Sequence, residues 1–200
     1  MGRPMSSWEE LYRTSQVSKL PWFAADLDRD LHRALKRFGP FRGVLLDLGT
    51  GPGTHAVGLA KLGYEVVATD IAASAIRAAR AYADEAGATI DFQVDDILHS
   101  KLKDGRFDGA IDRGVFHTLS PPDRKTYVTT LRRILRPRGW LHLKCFSDKE
   151  PGNWGPYRIS RKALRASFRD GFDVVSLRDT VFQGNVRPYP RALIATFQRR

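Results

Sequence analysis

Residue types suited to binding a ligand are concentrated in the stretch 44–55, which reads V-L-L-D-L-G-T-G-P-G-T-H. An apolar run of strand length is followed at once by Gly49, Gly51 and Gly53, and a helical pattern begins near Thr54. Glycine is needed where the backbone turns with positive φ or approaches a ligand too closely for a Cβ. The start of the helix presents unpaired N–H groups to that ligand. Strand, glycine turn and helix together predict a nucleotide-type binding site.

Acidic residues indicate which ligand this turn would accept. Asp47 lies at the end of the first strand, where it would repel a pyrophosphate and attract an ammonium group. The spacing G-x-G-x-G also lacks the last glycine of a dinucleotide fingerprint, because Thr54 occupies that place. Asp70 ends the next strand about twenty residues later, where a carboxylate can accept both ribose hydroxyls. The sequence therefore predicts a positively charged nucleoside as the ligand.

Alternating patterns of strand and helix must position these residues. Strands are predicted at 44–48, 64–69, 89–94, 107–112, 140–146, 172–177 and 192–197, and helices at 54–62, 73–86, 123–135 and 160–168. Residues 1–40 are predicted as a helical preface, with a short helix and loop over 7–20 and a helical pattern over 23–37, within a single domain spanning 1–200. This alternation predicts an α/β fold with a doubly wound, mostly parallel seven-stranded sheet. Because no helix separates the final two strands, they should pair antiparallel at one edge.

The glycine turn with its acid, and the strand order over nearly the whole chain, resemble the class I S-adenosylmethionine-dependent methyltransferases, which have a Rossmann-like fold. The resemblance implies an enzyme that uses S-adenosylmethionine and releases S-adenosylhomocysteine. It implies that the cofactor contacts are Asp47, Gly49, Thr50, Gly51, Gly53, Asp70, Ile71, Asp96, Ile97, Asp112 and Arg113. Asp96 would accept from the adenine amino group, with Ile71 and Ile97 beside the ring. Asp112 would lie near the transferred methyl.

The stretch from Phe107 to Ser147 indicates which branch of this family the chain resembles. Its two parts, F-D-G-A-I-D-R-G-V-F-H-T-L and L-R-R-I-L-R-P-R-G-W-L-H-L-K-C-F-S, resemble the small-molecule branch of thiopurine, thiol and tellurite-resistance methyltransferases. The N-terminal W-E-E-L-Y and Pro21-Trp22 fit the same branch. Arg138 departs from the usual Pro-Gly-Gly turn, at a position that is normally structural. This resemblance implies methyl transfer to a sulfur, selenium, oxygen or nitrogen atom of a small molecule.

The acceptor should bind near the end of the fourth strand. His117 is the candidate base or substrate-orienting group, and Asp112 is the second catalytic candidate. The acceptor pocket is predicted to contain Trp8, Tyr12, Trp22, Phe116, His117, Trp154, Arg158 and Arg187, from the preface, the segment after the fourth strand and the loops 149–157 and 182–189. Arg113, Arg158 and Arg187 could attract an anionic acceptor. The preface is expected to close over the bound cofactor.

Composition restricts the class of protein further. The chain has 200 residues, 42% of them hydrophobic, and a formal net charge of +11, which is enough for one domain with a core. A lone cysteine, Cys145, excludes an internal disulfide and favours a reducing compartment. Neither a signal peptide nor a membrane-length apolar run is visible, so we expect a cytoplasmic protein without a membrane partner. No Cys/His cluster has metal-ligand spacing, and no metal is predicted.

Two other functions remain open at the level of sequence. The basic charge makes a nucleic-acid methyltransferase the main alternative. Against it, the end of the fourth strand reads I-D-R-G-V-F, where base-amino methyltransferases carry an N/D-P-P-Y/F-type motif. The other alternative is a cofactor-binding protein without catalysis, because intact glycines and acids predict binding and not turnover. The sequence identifies neither the acceptor nor the oligomeric state.

Overall fold

A seven-stranded sheet forms the centre of the computed structural model, which describes residues 5–200. Its strands are β1 (Val44–Leu48), β2 (Glu65–Asp70), β3 (Asp91–Val94), β4 (Phe107–Arg113), β5 (Leu135–Phe146), β6 (Phe172–Val181) and β7 (Arg191–Arg199). They lie in the order β3-β2-β1-β4-β5-β7-β6. The first five pair in parallel, and β7 runs antiparallel to both β5 and β6. The predicted doubly wound sheet with an antiparallel last strand is confirmed.

Helices cover both faces of the sheet because each strand presents alternate residues to opposite sides. The α-helices are α1 (Met5–Thr14), α2 (Arg29–Phe38), α3 (Thr54–Lys61), α4 (Ala73–Glu85), α5 (Pro121–Ile134) and α6 (Arg161–Ser167). In β1, Leu45 packs with α2, α3 and α4, whereas Leu46 and Leu48 pack with α5 and α6 on the other face. Two buried layers therefore hold the strand ends in place.

The preface differs from its prediction in its second helix. Helix α1 ends at Thr14 and is followed by a loop with a short 3₁₀ turn, Val17–Lys19, which agrees with the short helix and loop predicted over 7–20. Helix α2 begins at Arg29 and not at residue 23, because Asp28 caps it. The Asp28 carboxylate accepts from the Asp30 N–H at 2.9 Å and the Leu31 N–H at 3.4 Å, as an N-cap residue does.

Strands β5, β6 and β7 are each longer than predicted by three residues or more. β5 begins at Leu135, which pairs with Phe107 before the register shifts, and β6 continues to Val181. Arg138 lies in the added part of β5 with a φ of 67°. Glycine adopts this left-handed conformation most readily. The backbone therefore keeps a glycine-like turn here although the residue is an arginine.

The sheet order brings the predicted acids to one edge. β1 is hydrogen-bonded to β2 on one side and to β4 on the other, with Leu48 opposite Asp112. The carboxyl ends of β1, β2 and β4 therefore border the point where the strand order reverses, which is where ligands bind in such sheets. Within residues 5–200, no helix is long and apolar enough to cross a membrane, and no group of three or more potential ligands could hold a metal.

Candidate active site

The glycine turn between β1 and α3 has the geometry of a ligand cradle. Gly49, Gly51 and Gly53 have φ values of 67°, 53° and 81°. A Cβ at Gly49 would lie 2.2 Å from Val115, and one at Gly51 would lie 2.7 Å from the Tyr12 hydroxyl. Larger residues would therefore be strained and would collide with these two side chains, which pack directly on the turn.

Asp47 is buried directly beneath this turn. Its Oδ2 accepts a hydrogen bond of 2.6 Å from the Thr50 hydroxyl, which links two predicted cofactor contacts. Burial, reinforced by the nearby carboxylates of Asp70 and Asp112, raises the pKa of Asp47 to about 7. A cationic ligand would offset that cost, because an opposite charge nearby favours the ionised carboxylate.

Asp70 connects the end of β2 to the glycine turn. Its Oδ2 accepts from the Gly51 N–H and its Oδ1 from the Ala72 N–H, each at 2.9 Å. Burial raises the pKa of this carboxyl group, and the two N–H donors act in the opposite direction. Ile71 follows it, half-buried at the same edge. Asp70 is therefore held close to the turn, where the sequence places a ribose.

The two acids after β3 differ in what they contact. Asp96 accepts from the Leu98 N–H at 3.0 Å and lies 2.8 Å from the ring Nδ1 of His99. Asp95 accepts from the Lys101 N–H at 2.9 Å, and within the described chain its other oxygen is buried without a hydrogen-bond partner. The Ile97 side chain packs in the core on the α5 face. That packing contradicts the predicted contact of its side chain with an adenine ring.

Asp112 has a structural role that contradicts its predicted catalytic and cofactor-binding ones. One oxygen accepts from the N–H groups of Gly114 and Val115 at 2.8 and 2.7 Å. The other accepts from the Phe116 N–H at 2.9 Å and the Tyr127 hydroxyl at 2.6 Å. The carboxyl group is fully buried, and burial raises its pKa despite these donors. Asp112 therefore fixes the turn after β4.

Arg113 is likewise occupied by the protein itself. Its guanidinium donates to Asp28 Oδ2 at 3.0 Å, to the Trp22 carbonyl at 2.9 Å and to the Gln183 carbonyl. It also lies 4.4 Å from the centroid of the Phe182 ring. The guanidinium is thus engaged within the protein, and the contact of Arg113 with the cofactor and its attraction of an anionic acceptor stay predictions.

His117 is buried and oriented by the backbone. Its Nδ1 accepts from the Phe146 N–H at 2.8 Å, so the neutral ring carries its proton on Nε2. Burial, with the positive charges of Arg113 and Arg124, lowers the pKa of His117 to about 3. A neutral ring whose lone pair on Nδ1 is engaged by a backbone N–H is a poor proton acceptor, which argues against a general-base role. The alternative prediction, that His117 orients the acceptor by donating from Nε2, is compatible with this geometry.

Aromatic rings surround His117 at the carboxyl ends of β4 and β5. The imidazole stacks on Phe182 at 5.5 Å and meets the edge of Phe146 at 5.0 Å. Phe146 in turn lies 5.5 Å from Trp154 and 5.3 Å from Phe182, and Trp22 packs on the same group. We call Trp22, His117, Phe146, Trp154 and Phe182 the aromatic cluster. Trp22, His117 and Trp154 were predicted from the sequence as acceptor-site residues; Phe146 and Phe182 were not.

Phe116 lies elsewhere, contrary to its prediction as a substrate contact. Its ring is fully buried in the core, 5.4 Å from Tyr127 and 5.5 Å from Phe168. The sequence placed it next to His117, but adjacent residues in this turn point in different directions.

Helix α1 lies over the cofactor side of the site. Glu9 Oε2 accepts from the Ser74 N–H at 2.9 Å, and its carbonyl accepts from the Ser74 hydroxyl at 3.0 Å. Tyr12 reaches the glycine turn at Gly51 and also forms a side-chain hydrogen bond with Trp22, so it lies between the glycine turn and the predicted acceptor residues. Trp8 meets Trp22 edge-to-face at 5.9 Å and connects α1 to the aromatic cluster.

The other two arginines predicted for the acceptor site, Arg158 and Arg187, stabilise loops. Arg158 donates to the carbonyls of Glu150, Trp154, Pro151 and Pro156 at 2.9 to 3.3 Å. Arg187 donates to the carbonyls of Gly184 and Val186 and lies 3.8 Å from the ring centroid of Tyr189. Neither is arranged as the predicted anchor for an anionic acceptor.

Sequence reasoning also missed a fully buried lysine. Lys144 lies in β5 at 0% exposure and pairs with Asp28 and Asp30 at the start of α2. The available signal was the strand L-H-L-K-C-F, in which a lysine interrupts an apolar run. Such a charge is almost never fully buried without partners, but the sequence does not show which acids supply them.

Comparison with known proteins identifies the family. Residues 45–139 match a methyltransferase domain family. The chain is 31% identical over 166 residues to the 2-heptyl-1-hydroxyquinolin-4(1H)-one methyltransferase of Mycobacteroides abscessus, covering 79% of this chain and 72% of that protein. It is 28% identical over 183 residues to human EEF1A lysine methyltransferase 2, covering 86% and 71% of the two chains.

A solved structure extends the similarity to nearly the whole chain. It comes from work on the conversion of a disulfide bond into a thioacetal group during echinomycin biosynthesis, and it matches with a TM-score of 0.86 and 27% identity over 98% of this chain and 92% of the other. The fold, the glycine turn with its acids and these similarities agree: the chain belongs to the S-adenosylmethionine-dependent methyltransferases.

Proposed function

We propose that this methyltransferase transfers a methyl group to a sulfur, selenium, oxygen or nitrogen atom of a flat small molecule that binds against the aromatic cluster. The observation that carries the proposal is the meeting of Phe146, Phe182 and Trp154 around His117, with ring centroids 5.0 to 5.5 Å apart. Aromatic side chains with a few polar groups are typical of small-molecule sites. The cluster lies at the sheet edge that carries the cofactor turn.

The residues at the glycine turn fit S-adenosylmethionine. The turn, with its three glycines at positive φ, lies beside the buried carboxylates of Asp47 and Asp70, and this acidic setting suits a cation better than a phosphate. Asp47 would attract the ammonium group, and Asp70 would accept the ribose hydroxyls. When bound, the cofactor supplies an electrophilic methyl group on a sulfonium, whose departure as a neutral thioether needs no acid.

The protein's own contribution is alignment and exclusion of water. Holding two reactants in line can contribute about 7 kcal/mol or more in favourable cases. His117 would orient the acceptor by donating from Nε2, while Asp112 fixes the turn that carries it. Since neither is free to take a proton, the acceptor atom would be one that ionises readily, such as a thiol, a selenol or an acidic hydroxyl.

The arginine side chains near the aromatic cluster are already engaged within the protein, which favours an acceptor without a negative charge. Arg113, Arg158 and Arg187 are each engaged with backbone carbonyls or carboxylates. An anionic acceptor would have to break these contacts. The hydroxyquinolone of the Mycobacteroides abscessus relative is a flat heteroaromatic hydroxyl compound, which is the kind of acceptor that the cluster favours.

The narrower resemblance to thiopurine, thiol and tellurite-resistance methyltransferases stays a prediction. It is supported by the aromatic preface, through Trp8 and Trp22, and by the proposed preference for atoms that ionise unaided. The lysine methyltransferase relative makes protein lysine a second class of acceptor to be tested.

A methyl-transfer screen with labelled cofactor tests the proposal. We expect label in hydroxyquinolones, acidic phenols or small thiols. Phe182→Leu should raise the KM for the acceptor while leaving the cofactor Kd unchanged, and Phe41→Leu, at an exposed position outside the site, should change neither. Label transferred by the wild-type enzyme only to protein or RNA, or cofactor binding without any product, would refute the proposal.

A further inference from the structure

Lys144 lies at the centre of a buried group of charges that the cofactor chemistry does not use. Its ammonium lies 3.0 and 2.8 Å from the two oxygens of Asp28, 2.8 Å from Asp30 Oδ2 and 2.5 Å from Gln183 Oε1. The lysine side chain has 0% exposure, and the two acids have 0% and 7%. Every donor of the ammonium group is therefore directed at a protein acceptor.

Arg113 completes the group and makes it electrically balanced. It donates to Asp28 Oδ2 at 3.0 Å, so two cations face two carboxylates. Burial alone would raise the pKa of Asp28, but the charges of Lys144 and Arg113 lower it to about 2. Thr180 adds a hydroxyl donor to Asp30 at 2.6 Å. We call Asp28, Asp30, Arg113 and Lys144 the buried ion cluster.

The ion cluster connects segments that are far apart in the sequence. Asp28 and Asp30 begin α2, Arg113 and Lys144 belong to β4 and β5, and Gln183 belongs to the loop between β6 and β7. That loop is also tied to the preface, since the Asn185 side chain donates to the carbonyls of Ser18 and Leu20 at 2.8 and 2.9 Å. The preface and the loop are thereby held as one unit.

This unit includes Trp22 and Phe182, two residues that would line the proposed acceptor pocket. Arg113 donates to the carbonyl of Trp22 at 2.9 Å and covers the ring of Phe182 at 4.4 Å. The positions of both rings therefore depend on where the ion cluster holds Arg113. Buried ion pairs can often be replaced by apolar residues without loss of stability, so stabilising the core is not a sufficient reason for this arrangement.

We propose that Lys144 is a positioning residue that holds the preface and the β6–β7 loop in the geometry that binds the acceptor. It acts through Asp28, Gln183 and Arg113 on Trp22 and Phe182, and it does not contact the cofactor turn. This inference rests on the proposed function of the aromatic cluster.

The test compares three variants of the full-length chain. Lys144→Met leaves an uncompensated buried charge, so the charge-balanced double variant Lys144→Met, Asp30→Asn is made beside it. Arg136→Met is the matched control, because Arg136 forms an exposed pair with Asp108 at 2.5 Å where β4 and β5 begin, at the opposite edge of the sheet.

We expect the charge-balanced variant to be folded, to bind S-adenosylhomocysteine as the wild type does, and to show an acceptor KM raised by about tenfold or more. Trypsin should cleave it faster after the exposed Lys19, and the Arg136→Met control should behave as the wild type in every measurement. A folded double variant with wild-type KM and cleavage rate would overturn the proposal, as would equal weakening of cofactor and acceptor binding. If no small acceptor is methylated, the proposed function fails, while the trypsin measurement still decides whether the cluster holds the two segments together.

Discussion

At the scale of single residues, burial sets the chemistry of the site. Asp47 and His117 are both buried, and burial shifts each toward its neutral form, raising the pKa of the acid to about 7 and lowering that of the histidine to about 3. Asp47 can be ionised by a cationic ligand, whereas His117 stays neutral with its proton on Nε2. The two residues should therefore respond differently to pH.

Cofactor affinity should depend on the ionisation of Asp47. Because the protonated carboxyl group cannot attract the ammonium of S-adenosylmethionine, the Kd should be roughly eightfold weaker at pH 6 than at pH 7.5, given a free-site pKa of about 7. Isothermal titration calorimetry at the two pH values measures this. Asp47→Asn should remove the dependence, and a wild-type Kd that does not vary with pH would contradict the assignment.

Turnover should not depend on the titration of His117. At saturating cofactor, the acceptor kcat/KM of the wild type and of His117→Gln should have the same pH profile, because His117 has a pKa of about 3 and no proton to exchange above it. The variant should still be slower at every pH, since it loses the oriented donor. An inflection near pH 6.5 present in the wild type and absent in His117→Gln would restore the general-base role.

The glycine turn and the acids at the strand ends could be predicted from the sequence because they depend on residues close together in the chain. The roles of Asp112, Arg113 and His117 could not. Their partners are the Tyr127 hydroxyl, the Asp28 carboxylate and the Phe146 N–H, which lie 15, 85 and 29 residues away. A titratable residue at a strand end looks the same in the sequence whether its partner is a ligand or the protein itself.

At the scale of elements, contacts between distant segments fix the turn after β4 and the position of α1. Tyr127 of α5 donates to Asp112 and thereby holds the turn that carries His117. Glu9 of α1 accepts from the first turn of α4 at Ser74, and the same helix carries Tyr12 to the glycine turn. Loss of the Tyr127 contact should therefore lower the stability of the fold, whereas loss of the Glu9 contact should weaken cofactor binding.

Loss of the Tyr127 hydroxyl should destabilise the fold. Tyr127→Phe leaves a buried carboxyl oxygen with one donor fewer, which should cost about 2 kcal/mol of unfolding free energy. Urea denaturation followed by circular dichroism measures the change. Tyr82→Phe, at a half-buried position of α4, is the control and should have little effect; equal stability of the two variants would show that the Asp112 contact contributes nothing.

Helix α1 should protect the bound cofactor only while Glu9 is intact. Glu9→Ala removes the acceptor for the Ser74 N–H, so cofactor binding should weaken and tryptic cleavage after the exposed Lys19 should become faster. Glu10→Ala is a matched control, because Glu10 pairs only with the exposed Arg13 in the described contacts. If the two variants behave alike, the preface does not close over the cofactor by this contact.

At the scale of the whole molecule, one edge of the sheet combines two sites of different character. The cofactor turn is acidic and lies under α1, while the acceptor side is aromatic and is held by the buried ion cluster. The formal net charge is +11; in the proposed acceptor region Arg113 is paired with Asp28, and Arg158 and Arg187 donate to backbone carbonyls. The charge alone therefore does not identify a nucleic acid as the acceptor.

The most direct test of this account is a competition for labelled methyl groups. Hydroxyquinolones and small thiols, a lysine-rich protein and structured RNA are offered together to the enzyme with labelled S-adenosylmethionine, and the products are separated by mass. The account predicts that the label enters the flat small molecules and that Phe182→Leu reduces this transfer. Label found in protein or RNA, with none in any small molecule, would contradict it.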